Sequence, residues 1–362
     1  MSEVRAVGRR SVLRLVLAPL LVIAVVVSVG VWASGREPDR RSSMAAALDA
    51  LPAGTLVAGF TDWAAIRDDL GIGAASTRSG RDALSDDASL RDLTTRSVLG
   101  GVIDDMHEAY GWSAADLEWE SYGQSRAGAA MVARLTPAVS IDDVQDRLRA
   151  LGYRRDGDVW SIDAAGSTTV GPELARTLGH LAVLPRQRLV IAADRAAYVP
   201  DVVSTVRGAE PSVLTSRPVA EIAQVLAGSD TAVIQSGGFS CRATSFDGSG
   251  ADVQAQADAA LARVGRLDTP TFTGRGLVDG ARRQSIRFAS AFASPAQAAE
   301  QLRVRSALTT GPFIGRSGQV EDTLDLVRST VHGSVATLRF DLDPDRGAFM
   351  SGEGALLFAA CP

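Results

Sequence analysis

The chain contains no lysine and no asparagine, and all 37 basic residues among its 362 are arginine. Without lysine, it has no Schiff-base nucleophile, no Ser-Lys pair and no phosphate-binding loop of the kind that ends in lysine. Without asparagine, it has no acceptor for Asn-linked glycosylation. We interpret both absences as codon bias of a GC-rich genome, so they exclude several chemistries without indicating a function.

Histidine is also rare, and the three histidines, His107, His180 and His332, are far apart in the sequence. His107 precedes a glutamate, but the second histidine of a zinc-protease helix is missing. The glycines at 71–76 lack the third glycine of a dinucleotide-binding loop, and no Gly-x-Ser-x-Gly segment occurs. The sequence therefore predicts no zinc site, no cofactor and no catalytic residue.

Cysteine occurs only as Cys241 and Cys361, which are 120 positions apart. Two cysteines in an exported chain favour one disulfide, and closing a loop of this length contributes roughly 4–5 kcal/mol in the chain-entropy model. The alternative is a pair of buried free thiols. No Cys-x-x-Cys spacing occurs, so we expect a structural role rather than redox chemistry.

The longest uncharged run extends from Leu15 to Ala33, between Arg14 and Arg36. About 20 apolar residues are needed for a helix to cross a bilayer. Four arginines precede this run and three follow it closely, which favours residues 1–14 inside the cell and the remainder outside. The sequence therefore predicts a single-pass protein of the cell membrane that contacts the lipid bilayer through residues 15–33.

A cleaved signal peptide is the alternative interpretation of the same segment. Val31 and Ala33 stand at the minus-three and minus-one positions of a cleavage site after Ala33, so the product would be secreted. The run is longer than the roughly 7–15 residues of an ordinary signal-peptide core, so we favour a retained anchor. Both interpretations place the rest of the chain outside the cytoplasm.

The residues after the anchor have the composition of a globular protein. The chain is 46% hydrophobic and 22% charged, and its net charge of −5, with no basic stripe, excludes nucleic acid as an expected partner. After a polar linker at 34–43, more than 300 residues remain, enough for two domains. We predict domains at 44–211 and 212–362, with the boundary near Pro211.

The pattern of elements predicts an α+β fold with mostly antiparallel sheets. Asp156-Gly157 and Asp279-Gly280 are typical hairpin turns. Ser140 and Ser294 each begin a helix after a short strand, in sequences that fit a capping box. This repetition of strand, turn and capped helix predicts two related α+β units in tandem.

Four predictions concern single segments of the chain. The Gly-, Ser- and Asp-rich residues 71–89 are typical of a loop, and the apolar spacing at 90–109 predicts a long helix. Residues 237–240, Gly-Gly-Phe-Ser, indicate a bend beside Cys241. The apolar positions Val253, Ala257, Leu261 and Val264 predict the buried face of another helix.

Residues 51–55 read Leu-Pro-Ala-Gly-Thr, and residues 339–344 read Arg-Phe-Asp-Leu-Asp-Pro. In both segments the chain resembles membrane-anchored extracytoplasmic proteins of actinobacteria that contain a domain of unknown function. Proteins of that group begin their exported part with such a Leu-Pro-Ala-x-Thr strand. The resemblance covers most of the exported body and implies no activity, because the group has no assigned chemistry.

Alternating carboxylates at Asp341, Asp343 and Asp345 form the candidate metal site. Hard oxygen ligands suit calcium, which exported proteins meet at millimolar concentration. The sixth position is Arg346 where a helix-loop-helix calcium site has glycine, and a strand precedes the segment. The alternative is an acidic strand end that continues into a turn.

Glu118 and Glu120 flank Trp119 and form the candidate carboxylate pair. Glycoside hydrolysis needs two carboxyl groups across a cleft, normally from distant strands, and the alternative here is an exposed acidic strand edge. The leading hypothesis is therefore a non-enzymatic module that binds or organises a protein or ligand of the cell envelope. The alternative is an envelope hydrolase whose site the sequence does not reveal.

Overall fold

The computed structural model describes residues 40–73, 75–163, 172–244, 246, 249–280, 283–342, 350 and 356–362. The strands in this part of the chain are β1 (Val57–Thr61), β2 (Leu117–Gln124), β3 (Ala129–Leu135), β4 (Arg154–Asp156), β5 (Val159–Ser161), β6 (His180–Leu184), β7 (Leu189–Ala193), β8 (Thr231–Ser236), β9 (Phe272–Asp279), β10 (Gln284–Ala291), β11 (Leu324–His332) and β12 (Val335–Leu342).

The helices follow the same order along the described residues. They are α1 (Arg40–Asp49), α2 (Trp63–Asp69), α3 (Arg78–Leu90), α4 (Ile103–Tyr110), α5 (Ile141–Ala150), α6 (Pro172–Thr177), α7 (Val199–Val206), α8 (Arg217–Leu226), α9 (Gly237–Thr244), α10 (Ala251–Val264) and α11 (Pro295–Ala307). Short 3₁₀ turns at 114–116, 196–198, 213–215 and 357–359 connect some of them.

All twelve strands belong to one sheet, in the order β11-β12-β10-β9-β8-β1-β2-β3-β7-β6-β5-β4. Every pairing of neighbouring strands in this sheet is antiparallel, from the long β9–β10 hairpin to the short β4–β5 hairpin around Asp156-Gly157. The prediction of an α+β fold with an antiparallel sheet is confirmed. The predicted capped helices are also present, since Ser140 accepts from Asp143 N and Ser294 accepts from Gln297 N.

Successive side chains of each strand point to opposite faces of the sheet, and both faces of the sheet are apolar. One face is covered by α2 to α5, α10, α11 and the residues near the C-terminus, and its core includes Trp63, Met106 and Phe340. The other face is covered by α1, α7 and α8, and its core includes Phe60 and Ile234. Helices on both sides therefore bury both faces of the sheet.

The centre of the sheet is the pair β1–β8, in which Gly59 lies opposite Val233. Reading outward from β1 gives β1-β2-β3-β7-β6 and then β5-β4, and reading outward from β8 gives β8-β9-β10-β12-β11. The first half therefore has two more strands than the second, and without the β4–β5 hairpin the two series have the same relative order along the chain. The boundary predicted between residues 211 and 212 falls between α7 and α8, and the sheet is continuous across it through β1 and β8.

The structure corrects two predictions in residues 71–109. Residues 78–90, expected in a loop, form α3, whose first turn is capped by Thr77 accepting from Gly80 N. The expected helix at 90–109 is reduced to α4, because α3 ends at Leu90 and Asp92 takes a left-handed conformation with φ of 61°. Leu90, expected in a buried stripe, is 85% exposed.

The predicted membrane anchor at 15–33 lies outside the described residues. Within the part of the chain that the structure describes, we find no helix of sufficient length and apolarity to span a bilayer. Residues 41–362 group as one compact unit that contains the whole sheet.

Candidate functional site

The disulfide predicted between Cys241 and Cys361 is present, with the two Cα atoms 5.1 Å apart. Cys241 lies on α9, which follows the central strand β8. Cys361 lies in the C-terminal segment, which we define as residues 356–361. The bridge therefore attaches this segment to the helical layer of the second half of the sheet, and the alternative of two free thiols is excluded.

Arg305 of α11 holds the same segment from another side. Its Nη1 donates to the carbonyl oxygens of Phe358 and Ala360 at 2.9 and 3.0 Å, and its Nη2 donates to that of Asp268 at 3.1 Å. The side chain is 2% exposed, and burial lowers its pKa to about 10. Two independent attachments, one covalent and one by charge-assisted hydrogen bonds, thus fix the C-terminal segment.

A cavity of about 520 Å³ lies between α10, the end of α11, residues 308–321 and the C-terminal segment. We call it the C-terminal cavity. Its volume is within the range of about 300–1,000 Å³ that is usual for small-molecule sites. Most of the wall is apolar, and it includes Ala260, Leu308, Phe313, Val320 and Phe358.

One stripe of α10 forms a wall of the C-terminal cavity, at Gln256, Ala259, Ala260, Arg263 and Val264. This spacing of three and four residues places the five side chains along one side of the helix. It shares Val264 with the predicted buried face, in which Ala257 is fully buried while Val253, Leu261 and Val264 are half-buried. The sequence pattern identified an apolar helix face but did not show that part of the helix lines a cavity.

Polar groups in the wall of the C-terminal cavity are few. They are Gln256, Arg263, Thr310 and Glu321. Glu321 Oε2 accepts from Gly311 N at 2.8 Å, and Arg263 Nε donates to Ala259 O at 3.1 Å, so one atom of each charged group has a partner in the protein. The cavity is therefore suited to an apolar ligand with a small number of polar contacts.

The candidate calcium ligands lie only partly within the described residues. Asp341 lies in β12, opposite Ser285 of β10, whereas Asp343 and Asp345 lie outside the described residues. Among the residues that the structure describes, no three acidic, histidine or cysteine side chains are grouped so as to hold a metal ion.

Glu118 and Glu120 make separate contacts. Glu118 Oε2 lies 2.7 Å from Arg134 Nε, with both side chains partly exposed. Glu120 is 1% exposed and accepts from Ser97 Oγ at 2.6 Å, from Trp63 Nε1 at 3.2 Å and from a backbone N–H. Burial raises the pKa of Glu120.

The contacts of Glu120 hold the loop before α4 against the sheet. Both carboxyl oxygens accept hydrogen bonds, from Ser97, Val98 and Trp63. Trp119, which separates the two glutamates in the sequence, belongs to the core on the other face of the sheet. The interaction that the sequence analysis missed is the one with Trp63, which is 57 residues away in the chain.

The three histidines lie on separate elements. His107 is on α4 with Nδ1 3.7 Å from Asp116 Oδ2, and His180 Nδ1 is 2.9 Å from Ser161 Oγ at the β5–β6 pair. His332 is at the end of the edge strand β11 and is exposed. The structure does not bring the three imidazoles together.

Comparisons with known proteins give little information. No protein-family model and no curated protein matches the chain. Crystal forms I and III of TP0453 match with a TM-score of 0.40 each, at 8% and 9% identity. The matches cover 84% and 83% of this chain and 96% and 94% of the TP0453 chain. A similarity at this level carries no argument about function.

Proposed function

We propose that the chain is a membrane-anchored, extracytoplasmic binding module whose ligand occupies the C-terminal cavity. The observation that carries the proposal is this cavity of about 520 Å³, walled mostly by apolar side chains and bordered by a segment with two attachments. A site held in place before binding loses less conformational entropy when a ligand enters.

The proposed location rests on two features. The uncharged residues 15–33 have the length and flanking charges of an anchor. The Cys241–Cys361 disulfide is of the kind that forms and persists in oxidising compartments, and it is rare in cytosolic proteins. Together they support a body that lies outside the cytoplasm, attached to the membrane.

The binding role is proposed in preference to catalysis because of what lines the cavity. Small-molecule binding sites are mostly apolar with a few placed polar groups, and this wall has that character. The carboxylate proposed for hydrolysis, Glu120, already accepts hydrogen bonds on both oxygens from protein donors. It is used to hold a loop.

We also propose that the body consists of two related α+β units. The order of the first five strands outward from β1 corresponds to that of the five strands outward from β8, and the β4–β5 hairpin is an addition at the edge of the first half. The two predicted capped helices, α5 and α11, follow the third strand of each series, β3 and β10. Duplication of one unit, with the first strands paired at the centre of the sheet, accounts for this correspondence.

A fluorescence titration with the neutral apolar dye N-phenyl-1-naphthylamine tests the binding proposal. Residues 41–362 form one compact unit, so the body from Arg36 to Pro362 is used without detergent. We expect a saturable increase in dye emission. Ala260→Trp, which fills the cavity from α10, weakens the dye affinity about tenfold or more, because the indole occupies the volume that the dye needs.

The matched control is Ala255→Trp. Ala255 is exposed on the same helix and does not line the C-terminal cavity. We expect this variant to bind the dye like the wild type. If the wild type shows no saturable binding, or if Ala260→Trp binds as well as Ala255→Trp, the C-terminal cavity is not the site.

A further inference from the structure

The two edges of the sheet differ in length and composition. β4, at one edge, has three exposed residues, Arg154, Arg155 and Asp156. Short and charged edge strands are a common protection against pairing with another chain. β11, at the other edge, extends from Leu324 to His332 and pairs with β12 alone among the described residues. β11 therefore presents a much longer open edge, which we call the β11 edge.

Apolar side chains are exposed along the β11 edge. Among the described residues, the exposed large hydrophobic side chains are Leu90, Val327 and Val331, and two of these three lie on β11. Val327 is the more exposed of the two, at 46%. A long, exposed edge strand with apolar side chains is the feature on which another strand pairs. Covering Val327 with a second strand would remove apolar surface from water.

A β-bulge determines which side chains of β11 share a face of the sheet. Asp325 lies opposite Asp341 of β12, and Arg328 lies opposite Arg339, with the register shift at Val327 between them. Directly opposite residues share a face, and so do residues two apart on one strand. Asp325 and Arg328 therefore point to the same face, although they are three positions apart. Without the extra residue they would point to opposite faces.

Both of these charges are opposite a charge of the same sign within the sheet. Asp325 faces Asp341 and Arg328 faces Arg339, and like charges directly opposite each other destabilise a sheet. Asp325 and Arg328 are exposed, and neither side chain forms an ion pair or a hydrogen bond with another described residue. A strand added at the open side of β11 can supply opposite charges to both.

A second copy of β11 in antiparallel orientation supplies these charges. When a two-fold axis perpendicular to the sheet passes between Leu326 and Val327, Asp325 of each copy lies opposite Arg328 of the other. Leu326 of each copy then lies opposite Val327 of the other, so the exposed valine packs against an apolar side chain. Opposite-charge pairs and apolar pairs of this kind stabilise neighbouring strands.

We propose that the β11 edge is a dimer interface, in which two copies of this chain pair antiparallel through residues 324–329. The charges select the register, because a shift by one residue places Asp325 opposite Ser329 or Val327 and leaves both charges without a partner. Each contact occurs twice, as in other two-fold interfaces. The inference goes beyond the proposed function, because the dimer needs no ligand in the C-terminal cavity.

The dimer is expected to be reversible. Edge pairing over residues 324–329 joins few side chains, and interfaces of small area belong to weak or transient complexes. We therefore expect the fraction of dimer to depend on protein concentration.

Sedimentation equilibrium of the full chain tests the proposal, in a neutral detergent whose density matches that of the solvent. Under this condition the measured mass is that of the protein, and one chain has a mass of 37.8 kDa. Between about 1 and 100 µM protein, we expect the mean mass to rise from that of one chain toward that of two.

Charge reversals then identify the interface. Asp325→Arg and Arg328→Asp each place two like-charge pairs across the two-fold axis, so we expect the dissociation constant to rise about tenfold or more. The double variant, Asp325→Arg with Arg328→Asp, restores opposite charges in the same register and is expected to dimerise like the wild type. Both positions are exposed, so folding is retained, and far-UV circular dichroism checks this.

The matched control is Arg154→Asp, the same change of charge on the exposed strand β4 at the other edge. We expect it to dimerise like the wild type. Dimerisation that each single reversal weakens, and that the double variant and the control retain, establishes the interface. The proposal is wrong if the wild type has the mass of one chain at every concentration, if the single reversals dimerise like the wild type, if the double variant stays as weak as the single ones, or if the control is weakened equally.

Discussion

At the scale of single residues, Glu221 attaches α8 to the β11–β12 turn. Its carboxylate accepts from Ser334 Oγ at 2.8 Å, from Ser334 N at 3.0 Å and from Arg217 Nε at 2.8 Å. These donors lower its pKa to about 2, with the Arg217 hydrogen bond as the largest cause. The adjacent Gly333 has a φ of 56°, and a Cβ there would lie 2.7 Å from Glu221 Oε1.

Glu221→Gln is expected to change how stability depends on pH. The folded pKa, about 2, lies below the unfolded value of about 4.3, so the ionised carboxylate stabilises the fold above pH 4.3. That contribution is lost as the pH falls from about 4 to about 2. We expect the variant to be less stable by about 1 kcal/mol at pH 7 and equal to the wild type at pH 2.

Urea denaturation of both proteins between pH 2 and pH 7 measures this difference. Glu300→Gln is the control, because Glu300 pairs with Arg303 on an exposed helix surface and we expect little effect at any pH. A difference between wild type and Glu221→Gln that persists at pH 2 would show that the carboxylate charge is not the cause.

Arg305→Met is expected to destabilise the protein by roughly 2–4 kcal/mol, because three carbonyl oxygens lose a charged donor. Methionine keeps much of the volume of the side chain but donates no hydrogen bond. Amide hydrogen exchange in residues 356–361 should also become faster, because the segment is then held mainly by the disulfide. Arg303→Met, at an exposed position of the same helix, is the control, and an equal loss in both variants would contradict the assigned role.

At the scale of elements, the predicted helices and turns are correct where the local sequence signals agree with the packing. The helices α5 and α11 begin at the serines expected to cap them, and the β4–β5 hairpin turns at Asp156-Gly157. In each case a few adjacent residues determine the backbone conformation. Strand order and the two-sided burial of the sheet depend on contacts between distant segments, so they could not be obtained in this way.

The misplaced helix boundary near residue 90 has a physical explanation. Leu93 N bonds to Ala88 O, and Asp92 takes the left-handed conformation that ends α3. Glycine usually occupies that position, so an aspartate gives no visible signal of the helix end. Glu120 then holds the following loop from the distant strand β2, an interaction that no local pattern contains.

The error at residues 237–240 has a different cause. Two successive glycines disfavour a helix, yet α9 begins at Gly237. A Cβ at Gly237 would lie 1.9 Å from Pro270 O, so the strand connection requires glycine there. Tertiary contacts, including the disulfide at Cys241, thus outweigh the local preference.

The disulfide is the element-scale connection whose loss should have the largest effect. Reduction is expected to lower the free energy of unfolding by about 2–5 kcal/mol, since the bridge closes a 120-residue loop. The wild type with and without a phosphine reductant is compared by urea denaturation. The Cys241→Ser, Cys361→Ser double variant should match the reduced wild type and should not respond to reductant. Equal stability of oxidised and reduced protein would contradict this.

At the scale of the whole molecule, the two halves share one sheet. β1 pairs with β2 on one edge and with β8 on the other, so separation at residue 211 would expose the edges of two central strands. We therefore expect one cooperative unfolding transition for residues 41–362, and fragments 44–211 and 212–362 that do not fold stably alone.

The positions of the tryptophans allow the unfolding of the first half to be followed separately from that of the whole body. The tryptophans of the described residues, Trp63, Trp112, Trp119 and Trp160, all lie in the first half, whereas far-UV circular dichroism reports on both halves. Coincident denaturation curves from the two signals are expected for a single transition. A circular dichroism curve with two steps, only one of which matches the fluorescence, would show that the halves unfold separately.

The sequence predicts less of the candidate sites than of the fold. The sequence identified Cys241 and Cys361 as a pair, but it gave no signal for the C-terminal cavity, whose walls come from four separate segments. Sites assembled from distant residues leave no spacing that a sequence pattern can detect.

The location of the body is the claim on which the proposed role most depends, and protease accessibility in a bacterial host tests it. The full chain with a C-terminal tag is compared with a variant that lacks residues 15–33. We predict that the full chain sediments with membranes and is digested in intact spheroplasts while a cytoplasmic marker survives, and that the truncated chain is protected. Protection of the full chain until the cells are lysed would contradict an extracytoplasmic, membrane-anchored module.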